Sequence, residues 1–332
     1  MSFDKMDYKK MLVPGLLVVI LALLASLPNI IGVYGIVQVT NVLMYIILTV
    51  SWVIFSGSTG YLSLATAAFY GIGIYTSAIL LPNTGALLPL PVVVILAGII
   101  CFIIASLIGA LTLRLKGIYF AIFTFGLVEL IKHVMLWYEV EFTHTRGRFV
   151  LVVNNETIFY YMLGIFVILI ITAYAIKRSR YGLALRSIGE YEEAASHMGI
   201  NVTLLKVITF GISAFFMGAA GAVIATRITY IDPYEAFKAL FSFSPVLMAI
   251  FGGMGQFYGP ILGAAIFAYL EEYLITSRIS MELGTFTIKV AELYMLIFGI
   301  ILVVAILFMP NGLVGLIEKL WKRISGGERK HA

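Results

Sequence analysis

One cysteine stands among 332 residues, and only 12% of the chain is charged. Cys101 lies inside an apolar run, which excludes disulfides and cysteine-ligated metals. The shortage of charge excludes more. Soluble domains carry about 25% charged and about 45–50% apolar residues. Here the apolar share is 61% and the mean hydropathy is +1.05, so folding alone cannot keep the apolar surface from water. No Gly-x-x-x-x-Gly-Lys-Ser/Thr stretch occurs anywhere, so the chain has no loop of that kind to hold ATP. The glycine cluster at 252–259 lacks the Lys-Ser/Thr ending. Only 1–10 and 318–332 read as non-membrane, which leaves no room for a soluble domain. The first apolar run shows no small-residue cleavage site and reads as a retained span. The net charge of +5 does not imply nucleic acid, because most basic residues sit in short segments beside apolar runs, where they set orientation.

What fills the chain is a series of continuous apolar runs of about 20 residues, each long enough to cross a bilayer as a helix. Transmembrane strands would need about 10-residue alternating segments. The fold class is therefore all-α: a polytopic transmembrane helical bundle in one permease-type domain over 1–332. The N-terminus, Arg114 with Lys116, the segment 177–206 and the tail are all basic and are placed in the cytoplasm. To bring the tail back inside, 238–277 must cross twice or not at all. The reading thus predicts a half-span of about 14 residues, a break near 252–260, and about 8–10 spans in all. Both termini then face the cytoplasm of a cell-membrane protein.

One long polar interval interrupts the pattern, residues 177–206. It opens on Lys177, Arg178 and Arg180, closes on Lys206, and contains Glu193-Ala194-Ala195 with Gly199 three residues on. The piece 188–198 can form a short helix bearing Glu190, Glu192, Glu193 and His197, and Gly199 suits the turn out of it. A segment of this kind lies at the membrane surface and must meet something there.

Other candidates are weighed in place. Glu129 lies mid-span, with Lys132 and His133 on the same helical face. It is either a residue lining a pathway or gate, an internal ion pair that orients helices, or, with His133, a proton relay. Gly252, Gly253 and Gly255 mark a broken segment, where transport proteins tend to place their pathways. Glu271, Glu272 and Glu292 read as interfacial carboxylates reaching water. His144 and Arg146 sit in an exposed polar loop, 138–157, that offers docking to an external protein. Ile54-Phe55-Ser56-Gly57 and Ile250-Phe251-Gly252-Gly253 form a faint internal echo.

Several stretches resemble one family. Glu193-Ala194-Ala195-x-x-x-Gly199 is similar to the EAA loop of ABC importer permeases. The run Leu113 to Glu129 (LRLKGIYFAIFTFGLVE) resembles the RLRGxYxAIxTLGxxE stretch of LivM-type branched-chain amino acid permeases. So do Tyr181 to Ile188, Met198-Gly199-Ile200-Asn201, Phe215 to Ala222, and Phe251 to Gly255 with Gly259-Pro260. The resemblance covers roughly residues 35 to 312. At 143–148 the chain reads Thr-His-Thr-Arg-Gly-Arg where members often carry a Thr-Gly-Gly-Pro-Asn-Gly-like segment, and the hydrophobic-Pro ending of the general EAA loop is missing after Gly199.

The resemblance implies a permease subunit without enzyme activity of its own. It implies an ATPase-coupling loop centred on Glu192, Glu193, Ala194, Ala195 and Gly199, and no cofactor in this chain, with ATP and Mg on partners. The implied partners are two ABC ATPase subunits, a second LivH-like permease subunit and an extracytoplasmic solute-binding protein, in a lipid bilayer. The implied substrate is a branched-chain amino acid, with urea or short amides as the close variant. A proton-coupled secondary transporter using Glu129 and His133 is the rival from another class.

Overall fold

The computed structural model describes residues 24–82, 84–115 and 117–276, with short pieces at 280–283, 286–289, 296, 299–300 and 312–315. Most of the expected first and last spans, Glu292 and both tails lie outside the described residues.

In lipid every backbone polar group must be satisfied internally, and a helix does this within one segment. The apolar runs are accordingly helical. In chain order they are α1 (Val33–Trp52), α2 (Thr66–Leu80), α3 (Leu90–Thr112), α4 (Ile118–Tyr138) and α5 (Asn155–Arg178). Then come α6 (Arg180–Glu190), α7 (Glu192–His197), α8 (Val202–Ala225), α9 (Pro233–Ala236), α10 (Leu240–Gly252) and α11 (Gly259–Thr276). Six stretches among the described residues are long and apolar enough to cross a membrane. The chain is a multi-pass, all-α membrane bundle. Among the described residues, strands are confined to two small antiparallel pairs, β1 (Arg148–Phe149) with β2 (Tyr230–Ile231) and β3 (Ser280–Leu283) with β4 (Phe286–Lys289).

The bundle is built around α8, which packs on α2 and α3. Its apolar window is 78% buried, against 28% for α4 at the perimeter. Small residues make this possible, because without a side chain two backbones can meet. A Cβ added to Gly73 would overlap the Gly218 carbonyl, and one on Gly221 would overlap the Tyr70 carbonyl.

The bundle has two ends. Helices α6 and α7, the α1–α2 link and the α3–α4 link gather at one, the loop end. The β1–β2 pair closes the other, the sheet end.

Several boundaries differ from the sequence reading. The third apolar run was expected to be helical from about 61, yet α2 begins at Thr66. Residues 61–65 stay unwound inside the protein because side chains take over their backbone groups. The Leu64 N–H donates to Thr124 Oγ1 at 2.9 Å, and the Leu64 carbonyl accepts from Ser242 Oγ at 2.7 Å. The Ser63 carbonyl accepts from Trp52 Nε1 at 2.7 Å. Non-helical backbone is tolerated at membrane depth when it is satisfied by protein in this way.

The polar loop expected at 138–157 is a folded strap. Helix α4 runs on as a π-helical turn, Glu139–Thr143. Glu139 is fully buried, and its Oε2 accepts the Gly147 N–H at 2.8 Å while Oε1 stands 3.5 Å from Arg148 Nε.

The expected break at 252–260 is present. Helix α10 is a 13-residue segment ending at Gly253, whose φ of 99° needs glycine. Helix α11 then turns back against α10, and added Cβ atoms at Gly252, Gly259 and Gly263 would each overlap backbone across that turn.

Candidate functional site

The polar interval 177–206 folds as two helices where the sequence suggested one short helix over 188–198. Ser179 caps α6, its hydroxyl accepting the Gly182 N–H. Tyr191 is extended, with φ −156° and ψ 97°, and separates α6 from α7. Gly199, at φ 83°, makes the turn out, as expected. Asn201 then caps α8 through the Leu204 N–H at 3.1 Å.

Helix α7 has two faces. Glu192 and Ala195, three residues apart, point inward. Ala195 is buried against Ile188 and Val202, with Ile200 and Leu205 around them. Glu193, Ala194, Ser196 and His197 are exposed. Large apolar side chains stand out around them: Leu183, Tyr191 and Met198, the last 80% exposed. The outer face of α6–α7 is thus a protruding, partly apolar surface.

The inner face is anchored by a lysine. Lys206, one turn into α8, is 2% exposed. Its Nζ donates to Glu192 Oε1 at 2.9 Å, to the Tyr61 hydroxyl at 3.0 Å and to the Leu113 carbonyl at 3.2 Å. Those three acceptors match the three donors of an ammonium group. Tyr61 in turn donates to Glu192 Oε2 at 2.6 Å. One ammonium therefore ties α7, the start of α8, the unwound entry to α2 and the end of α3. Two further contacts support it. Tyr181 of α6 donates to the Leu205 carbonyl at 3.0 Å, and Gly189 lies close enough to the Ser58 carbonyl to exclude a Cβ.

Glu192 was among the residues singled out in the sequence, whereas Lys206, Tyr61 and Leu113 were not. A signal existed: a lysine just inside an apolar run needs a buried partner.

A cavity of about 230 Å³ lies beside this end, between α1, α5, α6 and the 254–257 turn. Gly57, from the first of the two echoing segments, and Gly255, two residues past the second, line it together with Gly182 and Arg186. The structure thus brings Gly255 beside α6. Gly252 and Gly253 are buried packing positions at the turn itself.

Glu129 lies elsewhere, on the outer face of α4. Lys132 Nζ is 2.5 Å from its carboxylate. His133 Nδ1 meets the Glu129 carbonyl at 2.8 Å and stands 3.9 Å from the carboxylate. Arg146 is paired with Asp232 at 2.9 Å and lies over the Tyr234 ring. No group of three or more metal-ligating side chains occurs among the described residues.

Among the described residues, a multi-pass helical bundle carries a folded surface segment, α6–α7, bolted to its central helix. A family model described as branched-chain amino acid transport system, permease component, matches residues 35–306, and the chain belongs to that family. The chain is similar to LivM, the high-affinity branched-chain amino acid transport system permease protein, of Salmonella typhimurium, at 28% identity over 86% of this chain and 71% of the relative. It is similar to LivM of Escherichia coli at 26% identity, over 94% of this chain and 77% of the relative. It is also similar to LivH of Escherichia coli at 29% identity, over 42% of this chain and 41% of that one. No solved structure matches it.

Proposed function

We propose that this chain is one transmembrane subunit of an ATP-driven importer of branched-chain amino acids. The observation that carries the reading is the anchored α6–α7 loop. Its outer face, with Glu193, Ala194 and Met198, offers a seat for an ATPase chain, and its inner face delivers any displacement through Glu192 to Lys206. On this reading two ABC ATPase subunits bind and hydrolyse ATP with Mg, and the loop end faces the cytoplasm, as do both termini. A LivH-like permease chain completes the membrane part, and an external solute-binding protein delivers the solute at the sheet end. Movement of the loop shifts α8, α3 and the entry to α2 together, because the Lys206 ammonium holds all three. Gly57 and Gly255 give the neighbouring cavity room to change shape. Urea and short amides are the related solutes to compare.

The test is uptake by the reconstituted complex. ATP-dependent accumulation of a branched-chain amino acid is expected, and Glu193→Ala is expected to abolish it while the complex still assembles. Uptake by this chain alone, driven by a pH gradient and lost in Glu129→Gln or His133→Gln, would overturn the reading in favour of the proton-coupled rival. The Glu129 carboxylate at 2.5 Å from Lys132 is an ion pair already made, which does not favour a relay.

A further inference from the structure

A second polar cluster lies at membrane depth, toward the sheet end and apart from the coupling loop. Helix α1 carries Gln38, Asn41 and Tyr45 at helical spacing on one face. Asn41 is eight residues into α1, roughly 12 Å along the helix at 1.5 Å per residue. Its side-chain oxygen accepts from Arg227 Nη1 at 2.7 Å, and its side-chain nitrogen donates to Glu272 Oε2 at 3.2 Å. Tyr45 hydrogen-bonds the neighbouring carboxylate, Glu271.

The sequence suggested that Glu271 reaches water. In the structure it is 6% exposed, and its Oε2 has no hydrogen-bond partner. Arg227 is underused as well. A guanidinium has five N–H donors, and among the described residues its one hydrogen bond is the one to Asn41. Arg227, Asn41 and Glu272 are each only half-buried. Charge with unmet hydrogen-bonding capacity is costly against lipid, so such a face meets water or protein.

We propose that this cluster lines the transport path and receives the charged head of an α-amino acid, its carboxylate on the open fork of Arg227 and its ammonium on Glu271 and Glu272. The inference rests on the amino-acid importer reading and names the residues that meet the solute inside the membrane. The complementarity is specific. Among the described residues the cluster presents an unfilled donor fork on Arg227, which Asn41 joins to Glu272, and an unfilled carboxylate oxygen on the adjacent Glu271, and a zwitterion supplies both partners. An uncharged solute fills neither.

The test uses the whole complex in proteoliposomes and has two arms. Cys101 is fully buried, so in this chain a water-soluble, charged methanethiosulfonate reagent reports introduced thiols. Its addition is read from the mass of this chain. Asn41→Cys and Glu272→Cys are expected to react at rates that differ several-fold between the nucleotide-free and ATP-bound complexes. In the second arm, Arg227→Gln and Glu271→Gln are expected to lower amino-acid uptake about tenfold or more, the scale of one charge-assisted hydrogen bond. ATP hydrolysis stimulated by the binding protein should persist, and Arg227→Lys should recover part of the uptake. Thiols that stay unreactive in both states, uptake at the wild-type rate, or parallel loss of uptake and hydrolysis would each overturn the proposal. Absence of ATP-driven amino-acid uptake in the wild-type complex would instead overturn the importer reading, because the labelling arm does not depend on the solute.

Discussion

The two ends of the bundle are closed in different ways. At the sheet end the chain is fastened by backbone. β1 pairs with β2, the Val150 N–H donates to the Thr229 carbonyl at 3.0 Å and the Leu151 N–H to the Leu81 carbonyl at 2.9 Å. A buried Glu139 holds the turn between α4 and β1 from inside. At the loop end the fastening is by side chain, with Lys206, Glu192 and Tyr61 holding a pair of helices that otherwise stand on the surface. Many short backbone contacts resist displacement in any direction. A single ammonium shared among four segments lets them move together about one point. On the proposed reading, the sheet end stays and the loop end transmits.

That contrast can be broken most sharply at Lys206. Lys206→Met leaves Glu192 and Tyr61 partly buried around a missing cation, and removing one partner of a buried ion pair costs about 3–5 kcal/mol. Thermal unfolding in detergent should show a large drop, and ATP-driven uptake should be lost. If uptake and stability both survive, the anchor is not the transmitting contact. At the other end, Glu139→Gln keeps size and one acceptor but removes the charge facing Arg148. A loss of about 1–3 kcal/mol is expected, with ATPase chains still co-purifying. Loss of ATPase binding there would erase the distinction between the ends.

Gly199→Ala forces a Cβ onto a residue at φ 83°, with no neighbour within 4 Å to clash. The expected cost is about 1–2 kcal/mol of local strain, seen as reduced uptake with little change in the unfolding temperature. The smallest effect is expected from Tyr61→Phe, which keeps the ring beneath Lys206 and removes the two hydrogen bonds of the hydroxyl, to Glu192 and from Lys206, while the Lys206–Glu192 pair stays in place. About 1 kcal/mol should be lost, and uptake should be lowered but measurable. A larger loss from Tyr61→Phe than from Lys206→Met would invert the proposed hierarchy.

Much of this was legible from the chain. Apolar runs of spanning length can be little other than helices, and the break at 252–260 follows from its glycines and from counting crossings. A short helix bearing Glu192 and Glu193 and the turn at Gly199 were also readable, because they are local in sequence. The unwound segment at 61–65 was hidden, since its backbone is satisfied by Thr124 and Ser242, far along the chain. Within the polar loop at 138–157 the burial of Glu139 was hidden, because the chain alone does not show that this carboxylate turns inward to Gly147 and Arg148. Glu271 was misread because its burial depends on how α11 packs against α1.

The sequence by itself determined the medium, the class of fold, the family and the position of the surface loop. Each follows from hydropathy or from neighbouring residues. Only the tertiary structure decided which end is fastened by backbone and which by side chains, which lysine carries the loop, and where charge collects inside the membrane. Those outcomes depend on partners 14 to 231 positions away, as between Lys206 and Glu192 and between Asn41 and Glu272. Buried polar groups must find such partners, but which ones they find is settled by packing.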